Sequence, residues 1–255
     1  MTPALEIVAL AGLPEVAEGD PLGRQIVEAA AAASLELRDD DVLVVSQKIV
    51  SKAEGRVRDL ATVEPGARAA ELARSLDKDP RMVELVLAES RRVLRAERGV
   101  LITETAGGWV CANAGIDASN AGAEGLVTLL PTDADASARR LRAELEAACR
   151  RRPGVIVSDS FGRPWRPGQV DVAIGCAGVL AVDDWAGRAD SDGRELAATA
   201  IAIADQLAAA ADLAREKTSR TPAVAVRGAG RWRTHEDGPG AAAALQRAAA
   251  RDLFR

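Results

Sequence analysis

The chain has 255 residues, 48% hydrophobic and 28% charged, the balance of a folded protein with room for a sizeable core. A net charge of −5, 2% aromatic residues and no tyrosine argue against nucleic acid or an anionic membrane as the main partner. The three cysteines, Cys111, Cys149 and Cys176, show no CxxC spacing; they suit a reducing compartment and read as small apolar residues. The opening residues lack the basic-then-apolar layout of a signal peptide. No run reaches the roughly 18 apolar residues of a membrane helix, so a cytoplasmic protein is expected.

In chain order, residues 4–11 (ALEIVALA) predict a buried strand closed by Gly12-Leu13-Pro14. Residues 20–35 predict a helix capped by Asp20, with Pro21 in its first turn. DVLVV at 41–45 predicts a strand that leads into SQKIVSKAEGR at 46–56. Helices are expected over 64–76 and 80–94, the second with Asp79 as cap and Pro80 as first residue. Then VLITET and WVCANAGI read as strands joined at Gly107-Gly108, and LVTLLP as another strand. A helix over about 135–151, with its arginines toward solvent, ends at Pro153-Gly154. VIVSDS is an apolar strand carrying Asp159 and Ser160 at its exit, and VDVAIGCAGVLAV an alternating run. A long alanine-rich helix is expected over 191–213, a last strand at AVAVRG, and an irregular tail from about 231. Early alternation of strands and helices followed by hairpins predicts an α+β fold, one domain of two interleaved halves over 1–255.

Three segments carry candidate chemistry. SQKIVSKAEGR places two lysines and hydroxyls after a buried strand, a layout for phosphate or an ordinary solvated turn. NAGIDASNAG at 113–122 sets Asn113, Asp117, Ser119 and Asn120 among small residues; these oxygens suit Mg²⁺ or Mn²⁺, or an ordinary polar turn. SDSFGRPWRPGQVD at 158–171 puts Asp159 and Ser160 at a strand end, where ligands bind in α/β proteins. Arg163 and Arg166 follow in a loop of glycine and proline around Trp165, candidates to clamp a phosphate or carboxylate, unless the loop merely buries its tryptophan. The acids of 183–193 read as a solvated loop, and His235 stands beside no hydroxyl or thiol motif. Walker, G-x-S-x-G, H-E-x-x-H and G-x-G-x-x-G patterns are absent.

GLPEV, VSKAEGR behind its strand, NAGIDASN and SDSFGRPWRPGQVDVAIG stand in an order that resembles the coenzyme F420:γ-glutamyl ligase family, the CofE-like enzymes, across about 5–230. The resemblance implies a fold of two intertwined mixed α/β subdomains. It also implies transfer of L-glutamate to the tail carboxylate of the deazaflavin F420-0, followed by γ-linked extension. GTP, Mg²⁺ or Mn²⁺, and K⁺ are the implied cofactors, acyl phosphate the implied intermediate, and a homodimer the implied assembly. By motif, Gly12, Leu13 and Pro14 would line the nucleotide. Ser46, Gln47 and Lys52 would meet its phosphates or base, and Asn120 would help hold it. Asp117, Asp159 and Ser160 would ligate the metals, and an acidic position of the late helix falls near Asp205 and Gln206. The turn 105–109 departs from the basic or histidine-bearing turn common in the family. Some relatives continue into a nitroreductase-like flavin domain. Two other readings are a ligase of the same fold acting on another acid, and a binding protein without turnover.

Overall fold

A computed structural model describes residues 4–216, 218–235, 237 and 241–252. In chain order it contains β1 (Glu6–Leu10), α1 (Leu22–Ala32), β2 (Val42–Ser46), α2 (Gln47–Ala53), β3 (Val57–Asp59), α3 (Ala67–Leu76), α4 (Pro80–Ala88), β4 (Ser90–Glu97), β5 (Val100–Thr105) and β6 (Val110–Ala112). Next come β7 (Leu126–Thr128), α5 (Ala134–Cys149), β8 (Gly154–Arg163), β9 (Arg166–Ala177), β10 (Asp183–Asp184), β11 (Ala200–Ile201), α6 (Ile203–Asp212) and β12 (Ala223–Arg227). The fold is α+β, as expected.

The central sheet runs β1-β12-β2-β8-β9. Its parallel pair, β2 and β8, aligns Ser46 with Ser158, so the carboxyl end of β2 lies beside the middle of β8. Alternation explains why β2 is an unbroken apolar run: Leu43 and Val45 pack on one face, Val42 and Val44 on the other. The first face is covered by α1 and α5, the second by α6 and the C-terminal Ala242. A third cluster joins α3 and α4 to the region of β5 and β7.

Several boundaries differ from expectation. Asp20 does not cap α1; its carboxylate accepts from Ala17 N, and Pro21 takes the capping position. The helix start is satisfied from afar, by Glu144 of α5 accepting from Gly23 N at 2.8 Å. Segment 46–56 is a short helix rather than a loop, because Ser46 caps it by accepting from Lys48 N. The helix expected over 80–94 stops at Ala88, and 90–97 pairs with β5 instead. The helix expected over 191–213 begins only at Ile203. Upstream, backbone groups bond back to 183–188, as in Trp185 N to Thr199 O, and β11 pairs with β10. The arginines of α5 are not all toward solvent: Arg142 is 2% exposed, donating to Pro153 O and ion-paired with Asp237. Segment 158–171 is the end of a hairpin, not a loop, and Trp165 at its tip is 79% exposed rather than buried. Beyond 231 the described residues form only short 3-10 turns and a single bridge to Val179, as irregular as expected.

Candidate active site

A cavity of about 940 Å³ opens where β2 ends beside the middle of β8. Four segments build it: the turn after β1, α2, the strained turn after β6, and the β8–β9 hairpin, with the stretch after α6 closing one side. On α2, Lys48 and Lys52 lie one turn apart and both line the wall. Lys52 is ion-paired with Glu15, and Lys48 Nζ lies 2.8 Å from Asp117 Oδ2.

The NAG segment is a left-handed turn. Asn113, Ala114 and Gly115 have φ of 51°, 53° and 71° in succession. The left-handed conformation costs a non-glycine residue roughly 1–2 kcal/mol, and such strain collects at functional sites. Gly115 is required there twice over, since a Cβ would also meet the Leu130 side chain at 2.6 Å. The turn presents Asn113 to the cavity with its Oδ1 buried and without a partner. It also leads Asp117 and Ser119 to the wall, where Ser119 N donates to Asp117 Oδ1 at 2.6 Å.

Across from this turn stands β8. Alternation places Asp159 on the face shared with Val155 and Val157, and Ser158 and Ser160 on the face shared with Ile156. On the second face both serine hydroxyls donate to Asp171 of β9, at 2.8 and 2.6 Å. Arg215, just past α6, donates to the same carboxylate at 2.6 Å. A bulge in β9 beside Ser158 sets this register.

Asp159 is half-buried on the cavity wall, and its carboxyl is pushed up to about 7. Burial is the main cause, opposed by the Ser160 backbone amide and reinforced by the negative charges of Asp171 and Asp117. Asp117 shows the converse: although burial raises its carboxyl, donation from Lys48 and Ser119 leaves it below the ordinary value. Cys111 also lines the wall, its thiol pushed up to about 12 by burial and by the charge of Asp159, and hence kept neutral.

The structure thus brings Leu13, Pro14, Ser46, Lys52, Asp117, Asn120, Asp159 and Ser160 to one cavity. The other sequence candidates fall elsewhere. Gly12 is exposed beside the wall and outside it. Gln47 is fully buried with its side chain accepting from Ser51 Oγ, turned away from the wall that its neighbour Lys48 lines. Gln206 is exposed on α6 and does not line the cavity; the acidic residue of that helix that does is Asp212, nearly two turns later. Arg163 and Arg166 are exposed at the hairpin tip, past the lining residues Phe161, Gly162 and Gln169, and do not line the cavity. Sequence reasoning counted Lys48 only as one of two lysines in a phosphate layout, and gave no role to Asp171 or Arg215. Lys48 was recoverable from its helical spacing to Lys52; the meeting of Asp171 with Arg215 depends on the sheet and had no local signal.

Fold and cavity together define an α+β protein with a charged cleft at the end of β2 and the middle of β8. The sequence pattern of the F420-0:gamma-glutamyl ligase family matches residues 12–228. The coenzyme F420:L-glutamate ligase of Methanopyrus kandleri is 43% identical over 99% of this chain and 98% of its own. The proteins of that name from Methanothermobacter thermautotrophicus and Halobacterium salinarum are 41% and 45% identical. They align over 88% and 86% of this chain, and 89% and 85% of theirs. The chain belongs to the F420-0:gamma-glutamyl ligase family, and it is a ligase.

Proposed function

We propose that the enzyme joins L-glutamate to the tail carboxylate of F420-0, and then to the growing γ-linked chain, at the cost of GTP. A carboxylate does not condense with an amine at neutral pH, so it must first be activated. A carboxylate oxygen attacks the γ-phosphorus, GDP leaves, and an acyl phosphate forms; the glutamate amine then attacks the acyl carbon, phosphate leaves and the amine loses a proton. A cavity that excludes water protects the acyl phosphate from hydrolysis.

The observation that carries this reading is that Asp117 and Asp159, 42 residues apart in sequence, line one cavity together with Lys48 and Lys52. The charge of the wall favours it further. Among the described residues, six acidic side chains (Glu15, Asp117, Asp159, Asp171, Asp212, Glu216) line the cavity against four basic ones (Lys48, Lys52, Arg215, Arg220). A polyphosphate entering a net negative cleft needs cations with it. The raised carboxyl of Asp159, beside two further carboxylates, fits such a cation, and Asp117 and Asp159 would hold it. Among the described residues no three acidic, histidine or cysteine side chains converge on one point. Mg²⁺ or Mn²⁺ needs only one or two protein carboxylates and fills its remaining positions with water and phosphate oxygens. When bound, the ion supplies charge neutralisation for the terminal phosphates. The chain's own groups do the rest: the turn at Leu13 and Pro14 and the side chains of Ser46, Lys52 and Asn120 orient the nucleotide.

The test is direct. Protein incubated with F420-0, L-glutamate, GTP and Mn²⁺ should yield a product heavier by one or more glutamyl units, with stoichiometric GDP and phosphate. Product formed without GTP overturns the reading. Exchanging K⁺ for Na⁺ in the same assay checks the monovalent cation, and sedimentation velocity checks the proposed homodimer.

A further inference from the structure

Lys48 sits on the carboxylate that the proposed reading reserves for a cation. Besides its 2.8 Å contact with Asp117 Oδ2, its Nζ lies 2.9 Å from both Ser119 Oγ and the Ser119 carbonyl. Asp117 is further engaged by Ser119 N on Oδ1 at 2.6 Å and by Ser119 Oγ on Oδ2 at 3.0 Å. A carboxylate offers about four lone-pair sites, and three donors already use them, two on the same oxygen. The ammonium therefore bridges α2 to the 117–120 turn across 71 residues of sequence, with the Asp117 carboxylate at the junction.

We propose that Lys48 is a resident counter-ion: it neutralises and positions Asp117 in the metal-free enzyme, and the divalent cation must displace it. The proposal rests on the reading that Asp117 and Asp159 hold that cation. A divalent ion binds carboxylate oxygen at about 2.0–2.1 Å, closer than an ammonium donor can come, and two cations on one oxygen repel strongly. One must leave. The lysine can, because its long stem is anchored on α2 and the cavity is open beside it. Loading then exchanges one tie for another: the turn is released by the lysine and held by the metal. Lys48 is thus a positioning residue that sets how tightly the empty enzyme takes up metal.

The test uses the full chain and Mn²⁺ alone, with free Mn²⁺ counted by electron paramagnetic resonance and no nucleotide present. Lys48→Met should bind Mn²⁺ roughly ten-fold more tightly than wild type, the scale of one partly buried charge interaction. Lys48→Arg, which keeps the charge, should stay near wild type. Lys48→Gln serves as a second neutral variant if the methionine form does not fold by circular dichroism. Mn²⁺ affinity unchanged or weaker in the neutral variants, while Asp159→Asn removes binding, overturns the counter-ion role and leaves the metal reading standing. Mn²⁺ that binds neither wild type nor the neutral variants overturns both.

Discussion

Asp159 stands at the exit of an apolar strand, where its charge is opposed by burial and by two neighbouring carboxylates. Asp159→Ala removes that charge without touching the core. It should leave the circular dichroism spectrum unchanged and lower glutamate transfer by on the order of 10³-fold, the scale of losing one electrostatic stabiliser. Near-normal turnover would refute the role given to it. Asp135 makes a separate prediction, away from the cavity. Its carboxyl is raised chiefly by burial, against donation from the amides of Cys176 and Ala242. A raised acid favours the folded state fully below its unfolded value, near 4, and loses that contribution as pH rises through its folded value. Asp135→Asn keeps an acceptor where Oδ1 receives both amides. Its melting temperature should match wild type near pH 4 and exceed it increasingly toward pH 8. An offset constant across that range would show that the charge is irrelevant. At this scale the sequence was legible where residues cluster in one segment, as Asp117 with Asn120. It misled where a neighbour's helical phase decides: Gln47 faces the core and Lys48 the cavity.

Among the elements, the β8–β9 hairpin does most to shape the site, since its rungs present Asp159 on one face and the Asp171 network on the other. Its base is fixed by a close approach: a Cβ on Gly175 would lie 2.2 Å from the Ala134 backbone at the start of α5. Gly175→Ala should therefore cost about 3 kcal/mol, the upper range of overpacking, as measured by urea unfolding. A loss under 0.5 kcal/mol would mean that α5 can move aside. Strands were the legible elements, because β2, β12 and the first half of β8 are mainly apolar runs buried on both faces. Helix ends were not. Residues 90–94 and 197–202 have helical composition but lie opposite strands with free edges, and pairing prevailed over propensity.

For the whole molecule, the described C-terminal residues tie the second face of the sheet to α5 on the first. Asp237 pairs with both the buried Arg142 and the exposed Arg152, and Ala242 is bonded to Asp135. Asp237→Ala leaves a guanidinium buried without its counter-charge and should cost about 3–5 kcal/mol by thermal or urea unfolding. A loss below 1 kcal/mol would show that this tie contributes little. No helix among the described residues is long and apolar enough to cross a membrane. The α+β class could be read from the order of the elements. The strand order could not, because it depends on which distant edges meet.

That order has a consequence for synthesis. β12, which follows the other described strands in sequence, lies between β1 and β2, which do not bond to each other. The nascent chain therefore carries two unmatched β-edges until residues 223–227 emerge, and the sheet closes in a single late insertion. A ribosome stalled before that point would hold an aggregation-prone half-sheet, so a chaperone would be needed most just before residues 223–227 emerge.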